Sequence, residues 1–458
     1  MDGNKKMALL GSAPIPKALL ALGIPTMIGM LINALYNLVD TYFVGGLGTD
    51  QMGAVTVAFP LGQIVVGLGL LFGNGAAAYL SRLLGRGDKD TANKVASTAI
   101  YSGVSIGAIV ILFSIIFLEP ILKQAGAIES VIPYAVTYSR IYIVFSIFNV
   151  FNVTMNNIVS SEGAAKTAMC ALMAGAVLNV ILDPVFIYAL NLGVVGAAIA
   201  TAISQVISTL VYLCYILRKK SVFNFSIKEC CFAKEIISEI LKIGIPTLIF
   251  QLLTSLSIGM INSAAKEYGG SALAAMGQVT KIMSMGTLIV FGFLKGFQPI
   301  AGFSYGAKKF DRLREAIRTA VLWSTIFCVI FGFVAAVFST QIVSLFTKED
   351  AEMVRIGSIA LRGNGLSFVL FGFYTVYSFL FLVMGKAAEG CVLGACRQGI
   401  CFVPVILILP LVLGLSGVLY AQPIADVISA IVTALMAVRL HRELRTAENH
   451  ISTLPQEH

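Results

Sequence analysis

The chain has 458 residues, 58% of them apolar and only 12% charged, with a mean hydropathy of +0.90, whereas a globular domain is about half apolar and roughly a quarter charged. Those values exclude a soluble enzyme, a disordered chain and a disulfide-stapled scaffold, and they leave an integral membrane protein. The net charge of +9 is spread over short connections instead of one face, which fits membrane topology and argues against a nucleic-acid partner.

A spanning helix needs about 20 mostly apolar residues. In chain order, apolar runs between polar breaks predict helices at residues 18–43, 53–78, 96–118, 132–158, 167–190 and 194–217, then at 243–264, 272–298, 316–339, 355–383, 390–411 and 415–438. Residues 1–17 are polar and basic, and the run after them is too long for a cleaved signal, so it reads as a retained first helix. Residues 218–242 form a basic linker and residues 441–458 a polar tail. Lysine and arginine are strongly biased to one set of connections, which carries Lys5, Lys6, Lys17, Arg82, Arg86, Lys89, Lys94 and Lys166, the linker, the loop from Lys308 to Arg318, Lys386 and Arg439 to Arg445. The opposite set carries only Lys123, Lys266, Lys348 and Arg355. By the positive-inside rule both termini are expected in the cytoplasm, with the chain in the cell's inner (plasma) membrane.

The second half repeats the first. Leu22-Gly23-Ile24-Pro25-Thr26 returns as Ile243-Gly244-Ile245-Pro246-Thr247, and the same displacement maps Gly48 to Gly269, Gly75 to Gly296, Gly85 to Gly306, Asp90 to Asp311, Gly193 to Gly414, Gly196 to Gly417 and Ser208 to Ser429. Six helices repeated in one order share their orientation, which makes a parallel repeat about an axis along the membrane normal. The expected fold is an all-α integral membrane protein with twelve transmembrane helices in two pseudo-symmetric six-helix lobes. Residues 1–217 form the N-terminal lobe, 218–242 the cytoplasmic linker, 243–440 the C-terminal lobe and 441–458 the cytoplasmic tail.

Chemistry is sparse. The eight cysteines (Cys170, Cys214, Cys230, Cys231, Cys328, Cys391, Cys396, Cys401) lack metal-ligand spacing, and His441, His450 and His458 all lie in the tail. No Gly-x-x-x-x-Gly-Lys-Ser/Thr loop and no nucleophile–base constellation occurs, so the reading is a transporter without cofactor, powered by an ion gradient instead of ATP.

Several strings resemble the multidrug and toxic compound extrusion (MATE) family of secondary transporters. They are the Gly-Ile-Pro opening of the first helix with Asn37-Leu38-Val39-Asp40-Thr41 at its end, Asn179-Val180-Ile181-Leu182-Asp183-Pro184 in the fifth, and Gly196-Ala197-Ala198-Ile199-Ala200-Thr201 in the sixth. The second half adds Gln298-Pro299-Ile300-Ala301-Gly302 with Tyr305-Gly306-Ala307, Arg397-Gln398-Gly399, and Pro423-Ile424-Ala425-Asp426. The resemblance covers nearly the whole chain and implies efflux of lipophilic, often cationic compounds in exchange for H⁺ or Na⁺ by alternating access, in a monomer. At Ser160-Ser161-Glu162-Gly163 the chain has serine where bacterial members often have arginine. No acid occurs in spans 243–264, 272–298 and 355–383, so coupling is expected in the N-terminal lobe.

An acid at mid-membrane is expensive by about +2.5 to +3.5 kcal/mol on insertion scales, and each one asks for a reason. Asp40, Asp183 and Asp426 qualify. Asn179 stands one helical turn before Asp183, and Pro184 frees a backbone carbonyl. The resemblance places the cation site on Asp40, Asn179, Asp183 and Thr201, an oxygen-rich set that suits H⁺ or, if coupling is to Na⁺, the metal ion itself. The competing reading is a buried polar contact that fixes helix packing; the counterparts of the two aspartates, Ile261 and Pro404, are apolar, which favours function. For Asp426 the structural reading is preferred. Asn33, Tyr36, Asn37, Asn152, Asn156 and Asn157 are candidates for binding polar parts of a substrate, and Met27, Met155 and Met260 for an adaptable apolar surface. Pro25 and Pro184 are candidate hinges. Among intramembrane cations, Lys281 reads as the deepest, with Lys295 near it. The nearest rival function is a flippase of lipid-linked sugar or cell-wall precursor, which needs a cationic groove that these scattered basic residues do not supply.

Overall fold

A helix in a bilayer closes its backbone hydrogen bonds within itself, so its side chains decide whether it faces lipid or a neighbour. The computed structural model describes residues 3–125, 127–346 and 350–452, among which no strand occurs. The helices are α1 (Gly3–Gly11), α2 (Ile15–Gly45), α3 (Thr49–Arg86), α4 (Lys89–Ile116), α5 (Leu118–Gln124), α6 (Ile132–Ser161), α7 (Ala165–Pro184), α8 (Gly193–Leu217), α9 (Lys234–Lys266), α10 (Gly270–Gly306), α11 (Phe310–Val337), α12 (Ser339–Ser344), α13 (Ala351–Phe368), α14 (Phe371–Val383), α15 (Ala387–Ala395), α16 (Phe402–Leu413) and α17 (Leu415–Ser452). Eleven spans are long and apolar enough to cross a membrane, and the pair α13–α14 makes a twelfth. Leu38, Ile109, Phe333 and Leu411 lie bare on the outer surface, where only lipid tolerates them.

Three features differ from smooth helices. Residues 355–383 divide into α13 and α14, bent by 52°. The bend keeps both halves against α11: a Cβ on Gly365 would lie 2.7 Å from the Gly332 carbonyl oxygen, and one on Gly372 would lie 2.7 Å from the Ser324 carbonyl carbon. Residues 390–411 are interrupted by a π turn at Cys396–Ile400, and a second π turn, Val185–Ala189, follows Pro184. At the ends, α1 is a packed helix with Leu10 fully buried, and α17 continues through Ser452, with His441 hydrogen-bonded to the Tyr377 hydroxyl at 2.9 Å. Lys348, His458 and the side chain of His450 lie outside the described residues.

The internal repeat reappears in the backbone. Gly48 and Gly269 have φ of 107° and 101°, Gly193 and Gly414 have 55° and 58°, and Gly87 is matched by Lys308 at 58°. The short helices α5 and α12 follow equivalent breaks at Phe117 and Phe338.

Four helices join the lobes: α2 and α3 from the first, α9 and α10 from the second. The close approach needs glycine. A Cβ on Gly75 would sit 2.2 Å from the Ile240 carbonyl oxygen, and one on its counterpart Gly296 would sit 2.4 Å from the Gly23 nitrogen. Gly85 approaches the Phe303 carbonyl and Gly306 the Arg82 carbonyl in the same way, across the pseudo-two-fold axis. Thr26 Oγ1 donates to the Gly292 carbonyl at 2.6 Å, Asn74 Nδ2 to Thr247 Oγ1 at 2.9 Å, and Arg82 Nη2 to Glu239 at 2.8 Å. All these contacts lie toward one end of the molecule. That end also carries α1, whose Leu10 carbonyl accepts from Arg312 together with that of Ala13 just beyond the helix, and the last turns of α17, where Glu448 pairs with Arg314. Toward the opposite end, added Cβ atoms on Gly259, Gly270 and Gly277 would meet nothing within 4 Å, whereas Gly53 and Gly62 of α3 face Val131 and Tyr142 of their own lobe. The lobes therefore close at the basic end and diverge at the other, leaving a cleft between them.

Candidate functional site

Within the N-terminal lobe, α2, α6, α7 and α8 bring polar side chains together at a depth where lipid offers them no partner. Helical spacing places Tyr36 and Asp40 on one face of α2, Asn179 and Asp183 on one face of α7, and Tyr138 and Tyr142 on one face of α6. Thr201 enters from α8. Asp183 is 0% and Asn179 1% exposed.

The carboxyls of Asp40 and Asp183 face one another closely enough to interact. Two carboxylates are both acceptors, so this contact requires a proton between them or a cation beside them. Asn179 Nδ2 lies 3.3 Å from Asp183 Oδ1 and 3.4 Å from Thr201 Oγ1. With its amide turned over, the nitrogen donates to Asp183 Oδ2 at 3.0 Å and the oxygen accepts from the Thr201 N–H at 3.3 Å, which satisfies both ends. The Tyr36 hydroxyl lies near the Thr201 side chain. The Tyr138 and Tyr142 rings stack with centroids 5.8 Å apart beside Asp40.

Two observations separate this pair from an ordinary buried contact. Asp40 Oδ1 is buried without a hydrogen-bond partner, and among the described residues no lysine or arginine pairs with Asp40 or Asp183. Asp426 in the other lobe is fully compensated: Arg397 Nε donates to it at 2.9 Å, Gln422 Nε2 at 2.9 Å and Ser367 Oγ at 3.0 Å, while the Arg397 guanidinium lies 4.8 Å from the Phe371 ring centroid. Gln422 occupies the position equivalent to Thr201. One lobe holds a neutralised acid, the other an acid pair open to a small cation. The oxygen donors Asp40, Asp183, Asn179 and Thr201 suit H⁺ or Na⁺. Among the described residues no group of three or more His, Cys, Asp or Glu assembles for a transition metal, and all eight cysteines are free.

The other sequence candidates scatter. Asn37 Nδ2 donates to the Asn33 carbonyl at 2.7 Å on the exposed face of α2. Asn152 is engaged by Gln205 and Thr209, each at 2.9 Å, and joins α6 to α8. Asn157 Nδ2 donates back to the Val153 carbonyl at 2.8 Å. Asn156 reaches the Tyr212 hydroxyl at 3.1 Å and accepts from Lys295 at 3.2 Å. Met155 is fully buried in the core of the N-terminal lobe, whereas Met27 and Met260 are partly buried against the core of the C-terminal lobe. Pro25 lies inside α2 just before Thr26, and Pro184 ends α7 at the π turn. Lys281 is exposed, so the deep cation is Lys295, not Lys281. Tyr138 and Tyr142 were not singled out in the sequence; the signal is a pair of tyrosines one turn apart in an apolar span. Glu162 was passed over as well. It is 0% exposed, pairs with Lys6 of α1 at 3.2 Å, and also binds Tyr215, Ser221 and the Val222 N–H.

The MatE family model matches residues 25–185 and again residues 246–408, once in each lobe. The chain is 30% identical over 446 residues to the multidrug export protein MepA of Staphylococcus aureus, covering 97% of this chain and 98% of that one. Among solved structures it is similar to the outward-facing conformation of a multidrug resistance MATE family transporter of the MOP superfamily, with TM-score 0.91, 29% identity and coverage of 96% and 99%. It is equally similar to a MATE in the bent conformation, with TM-score 0.90, 28% identity and coverage of 97% and 99%.

Proposed function

The chain belongs to the MATE family, whose members are transporters and not enzymes, and from that premise we propose that it exports lipophilic, often cationic compounds by exchanging them for H⁺ or Na⁺ at the Asp40–Asp183 pair. It works as a monomer in the plasma membrane, with the basic end toward the cytoplasm. The observation that carries this reading is an acid pair without a basic partner, one member of which, Asp40, stands on a helix that also builds the seam between the lobes.

The first helix links the two events. Its early residues Ile15, Leu19 and Leu22 pack in the core of the C-terminal lobe, and Thr26 bonds α10 across the seam. Its later residues Tyr36 and Asp40 belong to the cation cluster of the N-terminal lobe. Pro25 lies beside the transition and removes one backbone hydrogen bond from the helix. A cation taken up by Asp40 and Asp183 from the open cleft draws α2, α7 and α8 together, and a change in the course of α2 about Pro25 reaches the seam directly. Two packings of the lobes, open to one side or the other, then bind drug and cation with different affinities, which is all that exchange requires. Inward movement of one charge through 100 mV supplies about 2.3 kcal/mol.

A flippase of lipid-linked sugar would need a cationic groove for pyrophosphate; among the described residues Lys281 and Lys295 stand about four turns apart on α10 and do not form one. The experiment is ethidium efflux from proteoliposomes under separately imposed H⁺ and Na⁺ gradients. One gradient is expected to drive efflux and so identify the ion; efflux indifferent to both overturns the exchange mechanism.

A further inference from the structure

Three buried cations of the described residues are neutralised by an acid, and a fourth within the membrane-spanning helices is not. The buried cations Lys6, Arg82 and Arg397 each face a carboxylate, at 3.2, 2.8 and 2.9 Å. Lys295, on α10 where the lobes converge, has no ion-pair partner among the described residues. Its ammonium donates across the seam to Asn156 Oδ1 at 3.2 Å. An ammonium has three donors, and this bond uses one.

The surroundings hold that geometry in place. Tyr212, 1% exposed, engages the Asn156 amide nitrogen at 3.1 Å and so keeps its oxygen turned toward Lys295. One turn along α10, Gln298 donates to Asn74 Oδ1 at 3.2 Å and Asn74 donates to Thr247, so the adjoining polar groups satisfy one another across the seam and offer Lys295 no carboxylate. Lys295 itself retains partial exposure between the lobes, at the closed end of the cleft. An ammonium held away from bulk water without a counter-ion costs free energy that an anion would recover.

We infer that Lys295 is a specificity-determining residue that receives a carboxylate on the transported compound, so that the preferred substrates are amphiphiles bearing one carboxylate, zwitterions included. A carboxylate matches one ammonium in charge, and its two oxygens take the donors that Asn156 leaves. A phosphate dianion would leave surplus negative charge at a floor with no second cation. This inference rests on the drug-export reading and refines its substrate class.

Rhodamine B and its ethyl ester share one cationic ring system and differ in a free carboxyl. Binding to the detergent-purified full chain, read by fluorescence polarisation, should favour the acid over the ester by about tenfold or more. Lys295→Met should abolish the preference by weakening acid binding alone, and Lys295→Arg should keep it. Equal binding of the two dyes to the wild type, or a preference that survives Lys295→Met, overturns the inference. Because binding is measured without a gradient, a carboxylate preference in protein that exports neither dye supports the site while counting against exchange.

Discussion

At the residue scale, the contrast between two buried acids organises the molecule. Asp426 is held by Arg397, Gln422 and Ser367 and contributes to packing, whereas Asp40 and Asp183 share a site with amides, hydroxyls and tyrosines and no cation. Removing Arg397 leaves a carboxylate stranded in the C-terminal lobe. Arg397→Met should therefore destabilise by about 3–5 kcal/mol, and adding Asp426→Leu should recover most of the loss, both measurable as thermal unfolding in detergent. Asn179→Ala removes a buried donor to Asp183 and a buried acceptor for the Thr201 N–H, so it should cost about 1–3 kcal/mol in thermal unfolding and should also weaken coupling by lowering cation affinity. Asp40 and Asp183 stand out in the sequence because acids in an apolar span are conspicuous, Asn179 joins them by its spacing one turn before Asp183, and Thr201 only through the family resemblance; the structure sets all four side by side. The depth of the lysines was not. Lys281 and Lys295 sit in similar apolar contexts, and the partner helix across the seam, not the local run, exposes one and buries the other.

At the element scale, helices of uniformly apolar composition reveal their ends well and their faces poorly. All twelve spans could be read from length and hydropathy. The break between α13 and α14 and the two π turns could not, because no proline marks the first, none lies in the turn at Cys396–Ile400, and Pro184 alone does not specify a π turn. The glycine pairs of the repeat were visible as a register, and their purpose appears only when α3 meets α9 and α10 meets α2. Gly296→Ala should be poorly tolerated: its Cβ would meet backbone at 2.4 Å, and backbone cannot rotate aside. A loss of about 1–3 kcal/mol, of the size of overpacking in a core, is expected in thermal unfolding, together with greater thiol-probe access to cysteines placed along the seam. Gly277→Ala, in open space on the same helix, should do neither. The N-terminal helix gives a further check. Arg312 caps the carbonyls of Leu10 and Ala13 while Lys6 reaches Glu162, so α1 ties the two lobes at the closed end. Arg312→Ala should loosen that end and raise protease access to α1 without altering dye binding.

At the scale of the whole molecule, two six-helix lobes meet through contacts concentrated at the basic end. The duplication accounts for the shared backbone at Gly48 and Gly269 and at Gly193 and Gly414, and its failures mark where the halves have different work. The N-terminal lobe keeps the unpaired acids; the C-terminal lobe replaces them with Ile261 and Pro404 and carries the bent span and the neutralised Asp426. The most direct test of coupling through the N-terminal lobe is gradient-driven ethidium efflux from proteoliposomes for Asp40→Asn, Asp183→Asn and Asp426→Asn, each first shown to unfold cooperatively. Efflux should vanish in the first two and persist in the third, in which asparagine can still accept from Arg397; normal efflux in Asp40→Asn and Asp183→Asn, or its loss only in Asp426→Asn, would contradict the account.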